Sequence, residues 1–286
     1  MPAFRRTVSA ATKQRIRATL RSALTSACKQ QKITYNVARY VELAPGQRPR
    51  ALVWTDERVE RWTRTGQRPS PVMVWTPEQL GVFLDHAQSD RLYGLFHLIA
   101  FRGLRRGEAC GVHWTEVDLH AMTLSVLWQI VQFGWDTAMT QPKTPYSLRT
   151  VALDENTNGV LKAHKARQNE DRLGLGGDWV DTGLVFTKPD GQALHPAEVT
   201  ERFQALAAEA GLPPIRLHDL RHGAATLALA AGADMKVVQE MLGHSSSTLT
   251  RDTYTTVVEE AKHQAAATLA GLFTLPGTNP RTAAAD

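Results

Sequence analysis

Residues 218–254 constrain this chain more than any other stretch. They open with His218-Asp219-Leu220-Arg221-His222, run through an alanine- and leucine-rich segment, and pass Asp234 and Leu242-Gly243-His244 before reaching Tyr254. His218 and Arg221 are three apart, so in a helix their side chains share a face. Asp234 suits an N-cap and Gly243 a C-terminal stop, which predicts a second helix between them. Val237, Val238, Met241 and Leu242 give that helix one apolar face. Arg and His are thus carried towards a polar, threonine-rich segment that bears a tyrosine. Such residues can hold a phosphate while a phenol attacks it.

The rest of the chain reads as two parts. Residues 1–71 hold 15 Lys plus Arg against 4 Asp plus Glu, whereas residues 72–286 hold 18 against 24. A basic leading segment beside a mildly acidic remainder suits either a polyanion-binding element or a solvated basic face. Ser9 can cap a helix reaching about Gln30, with Ile16, Leu20, Ala23, Leu24 and Ala27 as its apolar stripe and Arg15, Arg17 and Arg21 largely on other faces. Residues 32–43 predict a turn and a short helix. Residues 45–74, rich in Pro and Arg, predict a linker containing a short helix over 56–64. A larger domain is expected over 75–274, opening at Thr76 with a capping box and Pro77 at the first helical position. Helices are expected near 91–101, 154–170, 196–211 and 257–272. Strands are expected at 122–133 and 148–153, a loop at 136–146, and a hairpin around Asp190-Gly191. The tail, 275–286, predicts disorder.

Two upstream pieces carry candidate chemistry. Gly103-Leu104-Arg105-Arg106-Gly107-Glu108 sets an Arg and a Glu one turn apart, which is more often a salt bridge than a site. Pro142-Lys143-Thr144 precedes Ser147, Arg149 and Thr150. Taken with residues 218–254, these pieces resemble the tyrosine recombinases, or phage integrase family, of the actinobacterial mobile-element type. The family's first arginine box matches Arg105, with Glu108 at its supporting acidic position. Its hairpin lysine matches Lys143, against which Arg106 and Arg149 stand as competing cations. Its C-terminal box matches His218, Arg221, His244 and Tyr254, with His222 as a supporting residue. The resemblance covers roughly residues 9–272.

The resemblance implies a mainly α (α+β) fold: a helical catalytic domain with a small antiparallel β-sheet. A partial helical core-binding segment, residues 1–44, would precede it. That segment is shorter than the family's usual N-terminal part. The activity implied is site-specific DNA cleavage and rejoining through a 3′-phosphotyrosyl intermediate, without metal, ATP or other cofactor. Charge in a phosphoryl-transfer transition state spreads over the equatorial oxygens, and guanidiniums are permanently charged donor forks for such oxygens. Arg105 and Arg221 would form that clamp, and His244 would add a third donor. Tyr254 would be the nucleophile. A phenol with pKa ~10 is mostly neutral near pH 7, so adjacent Arg charge would favour the phenolate, and His218 would assist its deprotonation. Lys143 would protonate the leaving 5′-oxygen.

Other classes fare less well. No run of eighteen apolar residues predicts a membrane span, and the basic start lacks the apolar stretch of a secretory signal. Two distant cysteines, Cys28 and Cys110, fit a reduced cytoplasmic chain. No Gly-rich loop ending in Lys-Ser/Thr is present. His218 and His222 are spaced like zinc ligands, but Asp-Leu-Arg separates them, and Arg221 would oppose a cation. The expected partners are double-stranded DNA at recombination sites and further copies of the chain in a homotetramer. A directionality factor or host DNA-bending protein is a further possible partner. A Xer-like resolvase, a type IB topoisomerase and a truncated, non-catalytic DNA-binding remnant are the competing readings.

Overall fold

The computed structural model describes residues 8–44, 51–142 and 147–243. Lys143, His244, Tyr254, the expected C-terminal helix and the tail lie outside them. The chain divides into two units, Met1–Pro49 and Arg50–Asp286.

In the first unit, Ser9 caps helix α1 (Ala10–Lys29) by accepting from the Thr12 N–H, as its sequence predicts. A 3-10 turn, Val37–Arg39, stands where the short helix was expected. Asn36 joins the two elements, donating to the Arg21 carbonyl at 2.8 Å and to Thr25 Oγ1 at 2.9 Å. Helix α1 buries none of its residues, and Ile16 and Leu20 of the expected stripe are exposed.

The second unit begins earlier than its composition suggested. Strand β1 (Ala51–Val53) pairs in parallel with β2 (Val72–Val74), and helix α2 (Asp56–Thr65) connects them. Trp54 is 0% exposed, meets Trp62 edge-on at 5.8 Å and donates from Nε1 to the Pro214 carbonyl. The stretch read as a linker is therefore, from Arg50, part of the larger unit. Its apolar run Ala51-Leu52-Val53-Trp54 was masked by Pro- and Arg-rich flanks. Trp54→Ala should cost about 3–5 kcal/mol by leaving a cavity. Chemical denaturation should show this as a lower midpoint, and an unchanged midpoint would return the segment to linker status.

Helix α3 (Pro77–Ala87) has the expected capping box, Thr76 with Gln79, and Pro at its start. It packs with α4 (Tyr93–Arg102) and α7 (Pro196–Glu209) through Trp75, Phe83, Phe96 and Phe203, whose rings lie 5.1–5.8 Å apart. Helix α5 (Arg106–Cys110) follows α4, and helix α6 (Glu155–Leu175) starts at its Asp154 cap. Helix α8 (Leu217–Ala230) and helix α9 (Met235–Leu242) complete the described helices. Asp234 caps α9 and Gly243 ends it in the left-handed conformation, φ 64°. Val238 and Leu242 are buried as expected, but Val237 is exposed.

The strands differ from their expected extents. The run 122–133 breaks at Leu127–Trp128 into β4 (Thr123–Val126) and β5 (Gln129–Phe133). Strand β4 lies between β3 (Val117–Asp118) and β7 (Arg149–Ala152) in an antiparallel sheet. Strand β5 instead turns back at Gly134, φ 65°, into β6 (Asp136–Thr140), where a loop was expected. Strand β5 runs close against α5. A Cβ on Gly107 of α5 would lie 2.6 Å from the Ile130 carbonyl oxygen, so glycine lets β5 run against α5.

Candidate active site

The site is built where the ends of α4 and α9 and the starts of α5 and β7 meet α8. Helix α4 closes at Gly103, φ 63°, where an added Cβ would meet Leu242 Cδ2 at 2.5 Å. Only glycine accommodates both the left-handed turn and the approach of α9. The chain then buries Leu104 and presents Arg105 as the residue that starts α5. Glu108, one turn on, accepts from the Arg105 N–H at 2.8 Å and from its Nη1 at 2.5 Å. The Arg105 side chain remains 35% exposed while that of Glu108 is 1% exposed.

A second arginine holds the same carboxylate. Arg149, on β7, donates from Nη2 to Glu108 Oε2 at 2.9 Å and from Nη1 to Oε1 at 3.2 Å. This bidentate fork is the strong form of an ion pair. Burial would raise the Glu108 pKa. The hydrogen bond and charge of Arg149, then the charge and backbone N–H of Arg105, overcome that and hold it at about 2.

Arg221 sits on α8, one turn beyond His218, and is only 2% exposed. It donates to the Gly103 carbonyl, the end of α4, and to the Leu242 carbonyl at 2.5 Å. Arg149 Nε reaches the Met241 carbonyl at 2.7 Å, and Arg105 Nη2 the Gly243 carbonyl at 3.3 Å. Three guanidiniums thus take three consecutive carbonyls at the C-terminus of α9. Those carbonyls lack helical partners and carry the negative end of the helix dipole. His244 is the next residue in the chain.

His218 lies in the first turn of α8, and Asp219 beside it is buried against Arg216, 2.6 Å from Nη2. The rings of His218 and His222 meet edge-on with centroids 5.2 Å apart. Partial burial, then Arg221, lowers the His218 pKa below its ordinary value. Burial, then His218 and Arg221, pushes His222 down to about 4. Both shifts favour the neutral ring, the form in which a histidine can accept a proton.

The described residues therefore bring Arg105, Glu108, His218, Arg221 and His222 together. Arg106 points elsewhere, to Thr200 Oγ1 at 2.7 Å. The part played by Arg149 was not foreseen from the sequence, although a signal was present. In a strand, period-two alternation sets Arg149 in register with the buried Val151. Among the described residues no group of three or more His, Cys, Asp or Glu could hold a metal ion. None of the described helices is long and apolar enough to cross a membrane.

Residues 74–261 match the phage integrase family. The chain belongs to that family. A "Tyrosine recombinase XerC-like" protein of Caldanaerobacter subterraneus subsp. tengcongensis is 31% identical over 71% of this chain and 55% of its own length. The ICEBs1 integrase of Bacillus subtilis is 29% identical over 63% of this chain and 49% of its own. The chain spans about half the length of these relatives. Among solved structures, the Tn1549 transposon integrase in complex with a circular intermediate DNA superposes with TM-score 0.64 at 20% identity. That match covers 91% of this chain and 80% of that one. The mainly helical fold with small antiparallel sheets is the tyrosine recombinase fold, as the resemblance implied.

Proposed function

We propose that the chain is a site-specific DNA recombinase that integrates or excises a mobile element through a 3′-phosphotyrosyl intermediate. The observation that carries this reading is the convergence of Arg105 and Arg221 on the end of α9, in a chain of the phage integrase family. Arg105 and Arg221 clamp the non-bridging phosphate oxygens, and His244 adds a donor. Tyr254 attacks, the neutral His218 takes its proton, and Lys143 protonates the departing 5′-oxygen. Glu108 and His222 support the first arginine and the α8 face. The protein–DNA ester keeps the energy of the broken phosphodiester, so a 5′-hydroxyl can reseal the strand without ATP. Double-stranded DNA is the substrate. Four copies on two duplexes, assisted by a directionality factor or a DNA-bending protein, would complete the reaction in the cytoplasm. The XerC-like relative supports a second reading, a resolvase of the same chemistry.

The test uses nicked suicide duplexes with a randomised core, from which the full chain selects its own site as a denaturation-resistant adduct. The expected product is a 3′-phosphate ester to protein with a free 5′-hydroxyl, formed equally in EDTA. Failure to form an adduct on any core would leave a DNA-binding remnant, and inhibition by EDTA would point to a metal. Relaxation of supercoils without a partner site would identify a topoisomerase instead.

A further inference from the structure

We propose that Arg149 is a positioning residue of this site: it neutralises Glu108 so that Arg105 keeps its positive charge for the phosphate, and it fixes the turn of α9 that leads into His244. The proposal rests on the recombinase reading above. Arg105 and Glu108 alone would form a pair of zero net charge, which is a poor anchor for an anion. With Arg149 added the trio carries a net single positive charge, and the exposed member is Arg105. The Arg149 side chain is 6% exposed. Its contacts to Glu108 Oε1 and Oε2, the Ser147 carbonyl and the Met241 carbonyl occupy four of its five N–H groups. With those N–H groups taken, it has little donor capacity left for a ligand, whereas the Arg105 side chain is 35% exposed. A lysine could supply the charge but not the fork that spans Glu108 and α9.

The charged groups that face Glu108 are Arg105, from the same turn, and Arg149, from β7. The charge argument gives a signature that a merely structural arginine would lack. Arg149→Gln should slow single-turnover cleavage of the selected suicide duplex on the order of 10²-fold. Removing the carboxylate as well, in Glu108→Gln/Arg149→Gln, restores the net charge and should recover roughly tenfold of that loss. In the unmutated chain Glu108 stays ionised down to about 2. Without Arg149 the buried carboxyl takes up a proton at higher pH, which again frees the charge of Arg105. The ratio of Arg149→Gln to unmutated rates should therefore rise as pH falls from about 8 to about 6.

Inorganic phosphate, titrated calorimetrically, gives a readout independent of cleavage. Its affinity should fall about tenfold in Arg149→Gln and return in the double variant. Arg149→Lys keeps the buried charge and guards against misfolding. It should bind phosphate nearly as well as the unmutated chain yet cleave more slowly. If the unmutated chain forms no adduct, the recombinase reading fails, while phosphate binding still judges the role of Arg149. Equal phosphate affinity in all four proteins overturns the proposal, as does a double variant no better than Arg149→Gln.

Discussion

Tyr254→Phe should bind DNA as the unmutated chain does and form no covalent adduct with it. The substitution removes one oxygen and keeps the ring, so it should leave the charged residues that would hold DNA unchanged. On the proposed reading, what is lost is the atom that attacks phosphorus. No neighbouring hydroxyl can replace it without matching both its position and its in-line approach. Loss of a covalent nucleophile in comparable enzymes lowers turnover by on the order of 10⁴-fold or more, which here means no visible adduct from a suicide duplex. Mobility shifts at fixed salt should agree with the unmutated chain within about threefold, because phosphate contacts dominate such affinities. An adduct that survives Tyr254→Phe would sink the assignment and direct attention to another tyrosine or to a serine.

Arg221→Ala should damage the protein twice. Arg221 joins the carbonyl that ends α4 to a carbonyl that ends α9. Truncation leaves both oxygens buried without that donor, at about 1–3 kcal/mol each. Thermal unfolding should reveal this as a lowered midpoint. If Arg221 clamps the phosphate as proposed, losing that fixed donor should separately slow cleavage by about 10²–10³-fold. Arg221→Lys divides the two effects. The ammonium replaces the charge and holds one carbonyl, so much of the stability returns, but it cannot offer the planar fork, and cleavage stays slow. An alanine variant with an unchanged midpoint and cleavage within tenfold of the unmutated chain would refute both roles.

Much of this architecture could be read from the residues, because several signals are local. Ser9, Thr76, Asp154 and Asp234 cap helices where their side chains can reach the first free N–H groups. Gly243 ends α9 because glycine tolerates the left-handed turn. The pairing of Arg105 with Glu108 follows from helical spacing alone. What was not legible depends on distant partners. Trp54 is core because the Pro214 carbonyl, 160 residues away, comes to meet its Nε1, and spacing within residues 45–74 does not reveal that partner. The close passage of β5 along α5 depends on Gly107, on another element. Arg149 is separated from Glu108 by 41 residues, so its fork could not be inferred from spacing. The carbonyls of Met241, Leu242 and Gly243 are main-chain atoms without any residue signature.

The arginine-held end of α9 also bears on the timing of an entropic cost. A free arginine side chain loses roughly 1.5–2 kcal/mol of rotamer entropy when it is immobilised. Arg105 and Arg221 are already tethered to the chain's own carbonyls before any phosphate arrives. Much of their ordering is therefore completed when the protein folds. On the proposed reading, a phosphate entering the site would meet donors already held in place, and more of the contact energy would remain for the transition state.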